Sequence, residues 1–202
     1  MKRRILPRAI SCLALAILVG GWFLTAEQRD LSKKIVRLHV VANSDTSGDQ
    51  AVKLKVRDAV LAEAGRLLEG HTADAKEALR AGLPAIEAAA DRCLAAQGSG
   101  ERASAALRRE LFPTREYDTF SLPAGTYTAL RVTIGKGEGH NWWCVVFPSL
   151  CMSSSMDEFE EAARTAGLTD GEIGLITEKD EGCTLKFRSL ELLGKLRAAF
   201  RK

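Results

Sequence analysis

The chain has 202 residues, of which 46% are hydrophobic and 27% charged, so it can bury a core and is neither disordered nor collagen-like. Its formal net charge is +3, but the first 26 residues carry four of the 29 basic side chains and no acidic one. The remainder is therefore close to neutral and offers no broad positive field that would attract DNA, RNA or anionic lipid. Nucleic-acid binding is the function class that this composition argues against.

The amino-terminal segment, residues 1–26, has the pattern of an export signal. Basic residues precede the uncharged run 9–26, and charged residues resume at Glu27. A helix of that run spans about 27 Å, which is long for a signal peptide and short for a membrane anchor. We therefore expect a signal peptide or a signal anchor at 1–26 and an exported domain at 27–202. A buried core helix is the alternative.

The exported part opens with a predicted strand and a long predicted helix. Residues 34–42 alternate between apolar and polar, which indicates a half-buried strand, and the turn formers 43–49 follow it. Apolar residues then recur at intervals of three and four over about 49–69, which predicts a helix ended by a glycine. Lys53 is among the side chains expected to point outward from this helix.

Two further helices are predicted before the glycines at 98–100. Thr72 is expected to cap the first of them, which runs to about residue 81. Pro84 suits the first position of the second, which runs to Gln97. No intervening segment is long enough to indicate a second domain.

The pattern changes to strands and turns in the second half of the chain. Residues 101–112 favour a helix by propensity alone. Residues 127–134 alternate as a strand does, 135–139 read as a flexible glycine-rich loop, and 142–147 are apolar enough for a central strand.

The carboxyl-terminal part is predicted to contain a helix over 157–166, a short strand over 184–188 and a basic helix over 190–202. Together these elements predict an α+β protein. We expect one domain whose mostly antiparallel sheet is covered by the helices of residues 49–97, preceded by the membrane or signal helix.

Cysteine and histidine positions leave several chemical interpretations open. Cys144 and Cys151 flank a bend at Pro148 and would form a disulfide worth roughly 2–3 kcal/mol, or remain two buried thiols. Their spacing is not that of a zinc site, and no cofactor-binding fingerprint occurs in the chain. His140 precedes Cys144 by four residues, so a Cys–His pair in an exported enzyme is an alternative. We expect no metal and no cofactor.

Two short motifs are the candidate functional residues. Asn43, Ser44 and Asp45 lie where the first strand leads into a helix, a position that suits helix capping or anion binding by free amides. Trp142 and Trp143 are neighbours on a strand and so point to opposite faces. One indole can then join the core while the other remains exposed, as at a protein interface.

Two long stretches of the chain carry a resemblance to a known family. They read LHVVANSDTSGDQAVKLKVRDAVL over residues 38–61 and FPTREYDTFSLPAGTYTALRVTIGKGEGHNWWCVVFPSLC over residues 112–151. Both resemble the stage II sporulation protein R family of endospore-forming bacteria. The resemblance covers residues 34–151 well and the tail at 152–202 loosely. Because the stretch at 101–111 is usually β-rich in that family, the resemblance favours a strand there over a helix.

The resemblance implies a developmental signal rather than an enzyme. Proteins of this family are made in the forespore and exported across its membrane into the intermembrane space. There they activate a membrane-embedded, aspartic-type protease that processes pro-sigma-E in the mother cell. The resemblance carries the two motifs over as partner-binding candidates, which are Asn43, Ser44, Asp45, Asn141, Trp142 and Trp143.

The sequence therefore leaves three functions open. The first is the exported signal just described, with the membrane protease as its partner. The second is a cell-envelope enzyme that uses Cys144 and His140. The third is a structural spore protein that remains anchored in the membrane by residues 1–26. Three tests would separate these functions: replacing residues 1–26 with a leader that does not direct export, substituting Cys144 and Cys151 by alanine, and measuring the mature mass.

Overall fold

A mixed four-stranded sheet, layered with helices, forms the centre of the computed structural model, which describes residues 29–150 and 155–177. Residues 29–34 are helical. The elements that follow are β1 (Val36–Val41), α1 (Ser47–Leu68), α2 (Ala75–Ala81), α3 (Leu83–Ala96), β2 (Ala103–Phe112), β3 (Arg115–Glu116), β4 (Ser121–Leu122), β5 (Gly125–Ile134), β6 (Asn141–Phe147), α4 (Met156–Thr165) and α5 (Asp170–Thr177). The predicted α+β class is confirmed.

The order of strands in the main sheet is β2-β5-β1-β6. The pairs β2–β5 and β1–β6 are antiparallel, whereas the central pair β1–β5 is parallel. Most of the pairing is therefore antiparallel, as expected, but the sheet is mixed, because three helices and β2 carry the chain from β1 back to the same end of the sheet before β5 begins. Strands β3 and β4 form a separate small hairpin.

Helices α1 and α3 cover one face of this sheet, as predicted. Their buried apolar side chains pack against those of β1, β5 and β6 in one cluster that includes Val56, Val60, Ile86, Leu38 and Val132. Helix α3 begins at Leu83 with proline in its first turn, as expected. Helix α2 begins only at Ala75, so the expected cap at Thr72 is wrong; Asp74 occupies that position.

Strand β2 confirms the family-based expectation and overrules local propensity. Its helix-favouring sequence, ASAALRRELF, pairs along its whole length with β5, from Ala103 opposite Ile134 to Phe112 opposite Gly125. Ala103, Ala105 and Leu107 pack against the helix-side core, while alternate residues face the other way. The intrinsic preference of this segment for a helix is only tenths of a kcal/mol per residue. Pairing with β5 therefore determines its conformation.

A second layer covers the other face of the sheet. Helices α4 and α5 and the hairpin residues enclose an aromatic core that includes Phe112, Phe120, Tyr127 and Phe159. Strand β1 is consequently buried on both sides, and its predicted exposed face is wrong. Strand β6 is the last strand in the order β2-β5-β1-β6, so its predicted central position is also wrong. The apolar residues of β6 are explained by the layers that cover both faces of the sheet, since β6 has a neighbouring strand on one side only.

Several expectations concern segments that the structure leaves undescribed. The export segment at 1–26, Cys151, the strand expected at 184–188 and the helix expected at 190–202 all lie outside the described residues. Within 29–150 and 155–177, no helix combines the length and the apolar character needed to cross a bilayer.

Candidate partner-binding site

The two candidate motifs meet at one end of the sheet. Because β1 and β5 are parallel, the loops that leave their carboxyl ends lie side by side, and β6 starts at this same end with Asn141 opposite Val41. Residues 43–45 and 140–143, almost one hundred positions apart in the chain, thereby form one surface. We call this surface the motif edge.

Asn43 and Ser44 hold the motif edge together from within. The Asn43 side-chain oxygen accepts a hydrogen bond from the Lys136 backbone N–H at 3.0 Å, and its amide donates to Asp49 at 3.0 Å. The Ser44 hydroxyl donates to the same Asp49 carboxylate at 2.5 Å. These hydrogen bonds, from Ser44 first and Asn43 second, hold the pKa of Asp49 below its usual value.

The residue that caps α1 is Thr46, not one of the motif residues Asn43, Ser44 and Asp45. The Thr46 hydroxyl accepts the Asp49 backbone N–H at 3.3 Å, so the helix is capped one position after the Asn-Ser-Asp motif. Asn43, Ser44 and Asp45 instead connect the start of α1 to the loop that follows β5.

Asp45 and His140 form the exposed part of the motif edge. The Asp45 carboxylate accepts the His140 backbone N–H at 2.6 Å and also contacts the Nδ1 atom of its ring. Both side chains are mainly solvent-exposed, at 54% and 77%. Gly139 makes the approach possible, because a Cβ atom there would lie 2.3 Å from the Ser44 carbonyl oxygen. The glycine loop is therefore fitted closely against the motif.

Lys53 is a buried cation of this site that sequence reasoning missed. It is only 5% exposed, and its ammonium group donates to the Gln50 side chain at 2.5 Å and to the His140 carbonyl at 3.0 Å. Burial lowers the pKa of Lys53, and the nearby Asp45 charge opposes that effect. Lys53 lies three residues before the buried Val56, so helical spacing was the signal that indicated burial.

The two tryptophans lie on opposite faces, as predicted. Trp142 is 36% exposed, and the Arg57 guanidinium of α1 lies over its ring at 4.6 Å. Trp143 stacks on the His39 ring with centroids 3.9 Å apart and meets Phe112 edge-on at 4.7 Å. Trp142 is thus the indole that a partner can reach.

His39 links the motif edge to the outer face of the sheet. It is 3% exposed, and its Nδ1 and Nε2 atoms lie 2.7 Å from Glu110 and from the Asn141 side-chain oxygen. Arg131 also lies 3.3 Å from the Nδ1 atom, so a basic and an acidic side chain face the same ring nitrogen. Asn141 therefore orients a buried histidine as well as standing at the exposed start of β6.

Glu110 is the acidic partner of this network. Burial favours its neutral form, but hydrogen bonds and charge from His39, Arg108 and Arg131 outweigh that effect and hold the pKa of Glu110 below its usual value. Arg108 lies 2.6 Å and Arg131 3.3 Å from the carboxylate.

The structure gives Cys144 a structural position. It is 4% exposed within the helix-side core and is disulfide-bonded, with its partner outside the described residues. Pairing with Cys151 remains a prediction, since Cys151 is not described. A disulfide sulfur carries no thiolate, so Cys144 is not available here as the nucleophile of the enzyme alternative. Across the described ranges no cluster of three His, Cys, Asp or Glu side chains could hold a metal.

Fold and site together define an α+β domain with a polar and aromatic surface at one end of a mixed sheet. The sequence model of the stage II sporulation protein R family matches residues 32–157, nearly the same span as the two resembling stretches. The chain belongs to this family and is thus a protein of sporulation.

A curated relative supports the same assignment. The stage II sporulation protein R of Bacillus subtilis (strain 168) is 29% identical over 217 aligned positions, which cover 93% of this chain and 97% of the relative. The similarity thus extends beyond the family match into both ends of the chain. No solved structure matches the chain.

Proposed function

We propose that the protein is an exported developmental signal that activates a membrane-embedded, aspartic-type protease, which then processes pro-sigma-E in the mother cell. It crosses the forespore membrane by means of residues 1–26 and acts in the intermembrane space, either released or anchored by that segment. Family membership and the export pattern support this proposal.

One observation carries the assignment of the partner-binding surface. The motif edge joins two distant motifs, and it exposes Asp45, His140 and Trp142 while their neighbours are tied into the fold. An exposed tryptophan beside charged groups is the composition of an interface hot spot. The protease is therefore expected to contact Asp45 and Trp142, with Asn43, Ser44, Asn141 and Trp143 holding that surface in shape.

The test is co-expression in a host that makes no spores. This chain, the matching membrane protease and its pro-sigma substrate are produced together, and cleavage of the substrate is followed by immunoblot. Processing should occur with the full chain and stop when residues 1–26 are replaced by a leader that does not direct export. Processing that continues without export would refute a signal that acts from across the membrane.

Substitutions then locate the contact surface. Trp142→Ala and Asp45→Ala should each reduce processing about tenfold, which is the effect of losing ~1.4 kcal/mol of binding free energy. Arg66→Ala is the matched control, because it is exposed on α1 and lies about 14 Å further along the helix than Arg57. Equal effects of all three substitutions would contradict the assignment to the motif edge.

A further inference from the structure

The free edge of β2 is covered along only part of its length. The backbone N–H groups of Ala103 and Ala105 donate to the Asp91 and Glu87 side chains of α3, at 2.8 and 2.7 Å. These two groups point away from β5. Carboxylates four residues apart on one helix therefore take the place of a neighbouring strand at the start of β2.

Among the described residues, none provides such cover for the second half of the same edge. Alternate residues of an antiparallel strand point their N–H groups in the same direction, so those of Leu107, Arg109 and Leu111 also point away from β5. Among the residues that the structure describes, none accepts a hydrogen bond from these three groups. Leu111 is in addition 76% exposed, the largest exposure among the large apolar side chains of the described residues.

Positive charge distinguishes this open part of the edge. Arg109 is exposed and has no ion pair among the described residues. Burial lowers the pKa of Lys76 in α2, and the nearby charge of Arg109 lowers it further. These two like charges favour an acidic occupant.

We propose that residues 107–111 of β2 bind an extended, acidic segment of a partner protein, which joins the sheet as an additional strand beside β2. Main-chain hydrogen bonds to the three outward N–H groups supply the binding. A carboxylate opposite Arg109 supplies charge complementarity, and apolar side chains on either side of it contact Leu107 and Leu111.

A second copy of this chain is a poorer occupant of the edge. Antiparallel pairing of two β2 strands through the three open N–H groups would place Leu107 of one copy opposite Leu111 of the other. It would then set Arg109 directly opposite Arg109, and like charges in that position are destabilising. The same arginine thus opposes self-association and attracts an acidic strand.

This binding edge is distinct from the motif edge. Strand β2 stands at one end of the order β2-β5-β1-β6, whereas Trp142 and Asn141 belong to β6 at the other end. The inference therefore does not depend on the proposed function. A partner that engages both surfaces would hold the domain from two sides of the sheet.

The experiment measures the binding of a fluorescent peptide to the full chain in detergent micelles. The probe is Thr-Val-Thr-Glu-Thr-Val-Thr with blocked ends, whose glutamate can lie opposite Arg109 with a valine on each side of it. A peptide with lysine in place of the glutamate should bind at least about tenfold more weakly. On binding of the acidic probe, hydrogen exchange at residues 107–111 should slow.

Two substitutions at one position separate charge from backbone. Arg109→Gln keeps the outward N–H and should weaken probe binding about threefold to tenfold. Arg109→Pro also removes that N–H, which the β2–β5 ladder does not use, and should weaken binding further. Arg66→Gln is the control and should leave binding unchanged. A probe methylated at alternate amide nitrogens makes the same backbone test if the proline variant does not fold.

The proposal fails under any of three results. The first is no binding of the acidic probe at millimolar concentration. The second is binding that Arg109→Pro leaves intact, with exchange slowed elsewhere in the chain. The third is concentration-dependent self-association of the chain that Arg109→Pro abolishes, which would make a second copy the occupant. Failure of protease activation in the co-expression assay, with probe binding intact, would count against the proposed function alone.

Discussion

Buried charges in this domain occupy positions that a polarity pattern assigns to solvent. Arg37 and His39 lie on the β1 face predicted to be exposed, and Lys53 was expected on the outside of α1. Arg37 is fully buried with its guanidinium 4.2 Å above the Phe112 ring, and it donates to the Tyr117 hydroxyl at 2.9 Å. Sequence periodicity correctly predicted which side chains share a face of β1 or of α1. Their burial depends on elements distant in the chain.

The Glu110 carboxylate should make folding stability depend on pH. Its lowered pKa means that the folded protein binds its proton less readily than the unfolded chain does. The stabilisation is therefore full above the ordinary value of 4.5 and is lost as the pH falls through the lower folded value. Glu110→Gln should cost about 1–3 kcal/mol at pH 7, and urea titrations should show this difference shrinking below pH 4.5.

Glu77→Gln is the control for this experiment. Glu77 and Arg80 form an exposed pair on α2, with side chains 69% and 58% exposed, so its loss should change the unfolding free energy by less than about 0.5 kcal/mol. A Glu110 variant that shows the same loss of stability at acid pH as at neutral pH would contradict the role given to its ionised form.

Gly139 should be a position where a single methyl group is harmful. A Cβ atom there would lie 2.3 Å from the Ser44 carbonyl oxygen and 2.9 Å from the Ala42 Cβ. Gly139→Ala must push the glycine loop away from the motif edge, so we expect a loss of about 1–3 kcal/mol in calorimetric stability. Processing activity should fall as well, because His140 and Trp142 follow directly in the chain.

Gly65→Ala provides the opposite expectation from the same substitution. Nothing lies within 4 Å of a Cβ atom at this position in the interior of α1. Alanine should therefore stabilise the protein by about 0.5–1 kcal/mol and leave processing unchanged. If both glycine variants behaved alike, the close contact between loop and motif would not be the cause.

At the scale of elements, local sequence predicted most helices and failed where pairing partners decide. The apolar spacing of α1 and α3 was sufficient, because each helix buries one stripe against a neighbouring surface. The helix-like sequence of β2 gave no such signal, and only the family resemblance indicated a strand. Local sequence placed β6 centrally, since apolar content reports covered faces but not the number of neighbouring strands.

The carboxylates that cover the first half of β2 should protect it from association. A backbone hydrogen bond from Ala103 first, and the Arg102 side chain second, lower the pKa of Asp91. The double change Glu87→Ala and Asp91→Ala removes both acceptors and leaves the whole outer edge of the strand unpaired. We expect a loss of about 2–4 kcal/mol and self-association that increases with concentration in sedimentation experiments.

The neighbouring pair Glu77→Ala and Arg80→Ala is the control for that double variant. It also removes two charged side chains from a helix beside the sheet, but these two side chains pair with each other and are mainly exposed. This variant should remain monomeric and nearly as stable as the parent. Association of both variants would show that lost surface charge, and not the exposed strand edge, is responsible.

At the scale of the whole molecule, one sheet separates two cores, and the sequence predicts one of them better than the other. The helix-side core follows from the regular spacing of α1 and α3, and it includes Val60 and Leu94. The aromatic core includes Phe120 and Phe159, whose rings stack 5.1 Å apart although they lie far apart in the chain. Such a layer is assembled from short elements, and their sequence periodicity does not predict which face of the sheet they cover.

Because the same strands supply both cores, the two layers should unfold together. Trp142 lies beside α1 and Trp143 lies in the aromatic layer, so variants that retain one of them report the two sides separately. With Trp22 also replaced by phenylalanine, the two urea curves should coincide. Phe159→Ala, at a fully buried ring, should lower the free energy of unfolding by about 3–5 kcal/mol, and both curves should report the same loss.

A shift confined to the Trp143 curve would instead mean that α4 and α5 leave the sheet as a separate unit. The motif edge would then survive loss of the outer layer, since its ties run between α1, the glycine loop and the start of β6. Coincident curves carry the opposite consequence. Destabilising substitutions in the aromatic core would then reduce signalling in proportion to the unfolded fraction, and each processing result must be compared with the stability of the same variant.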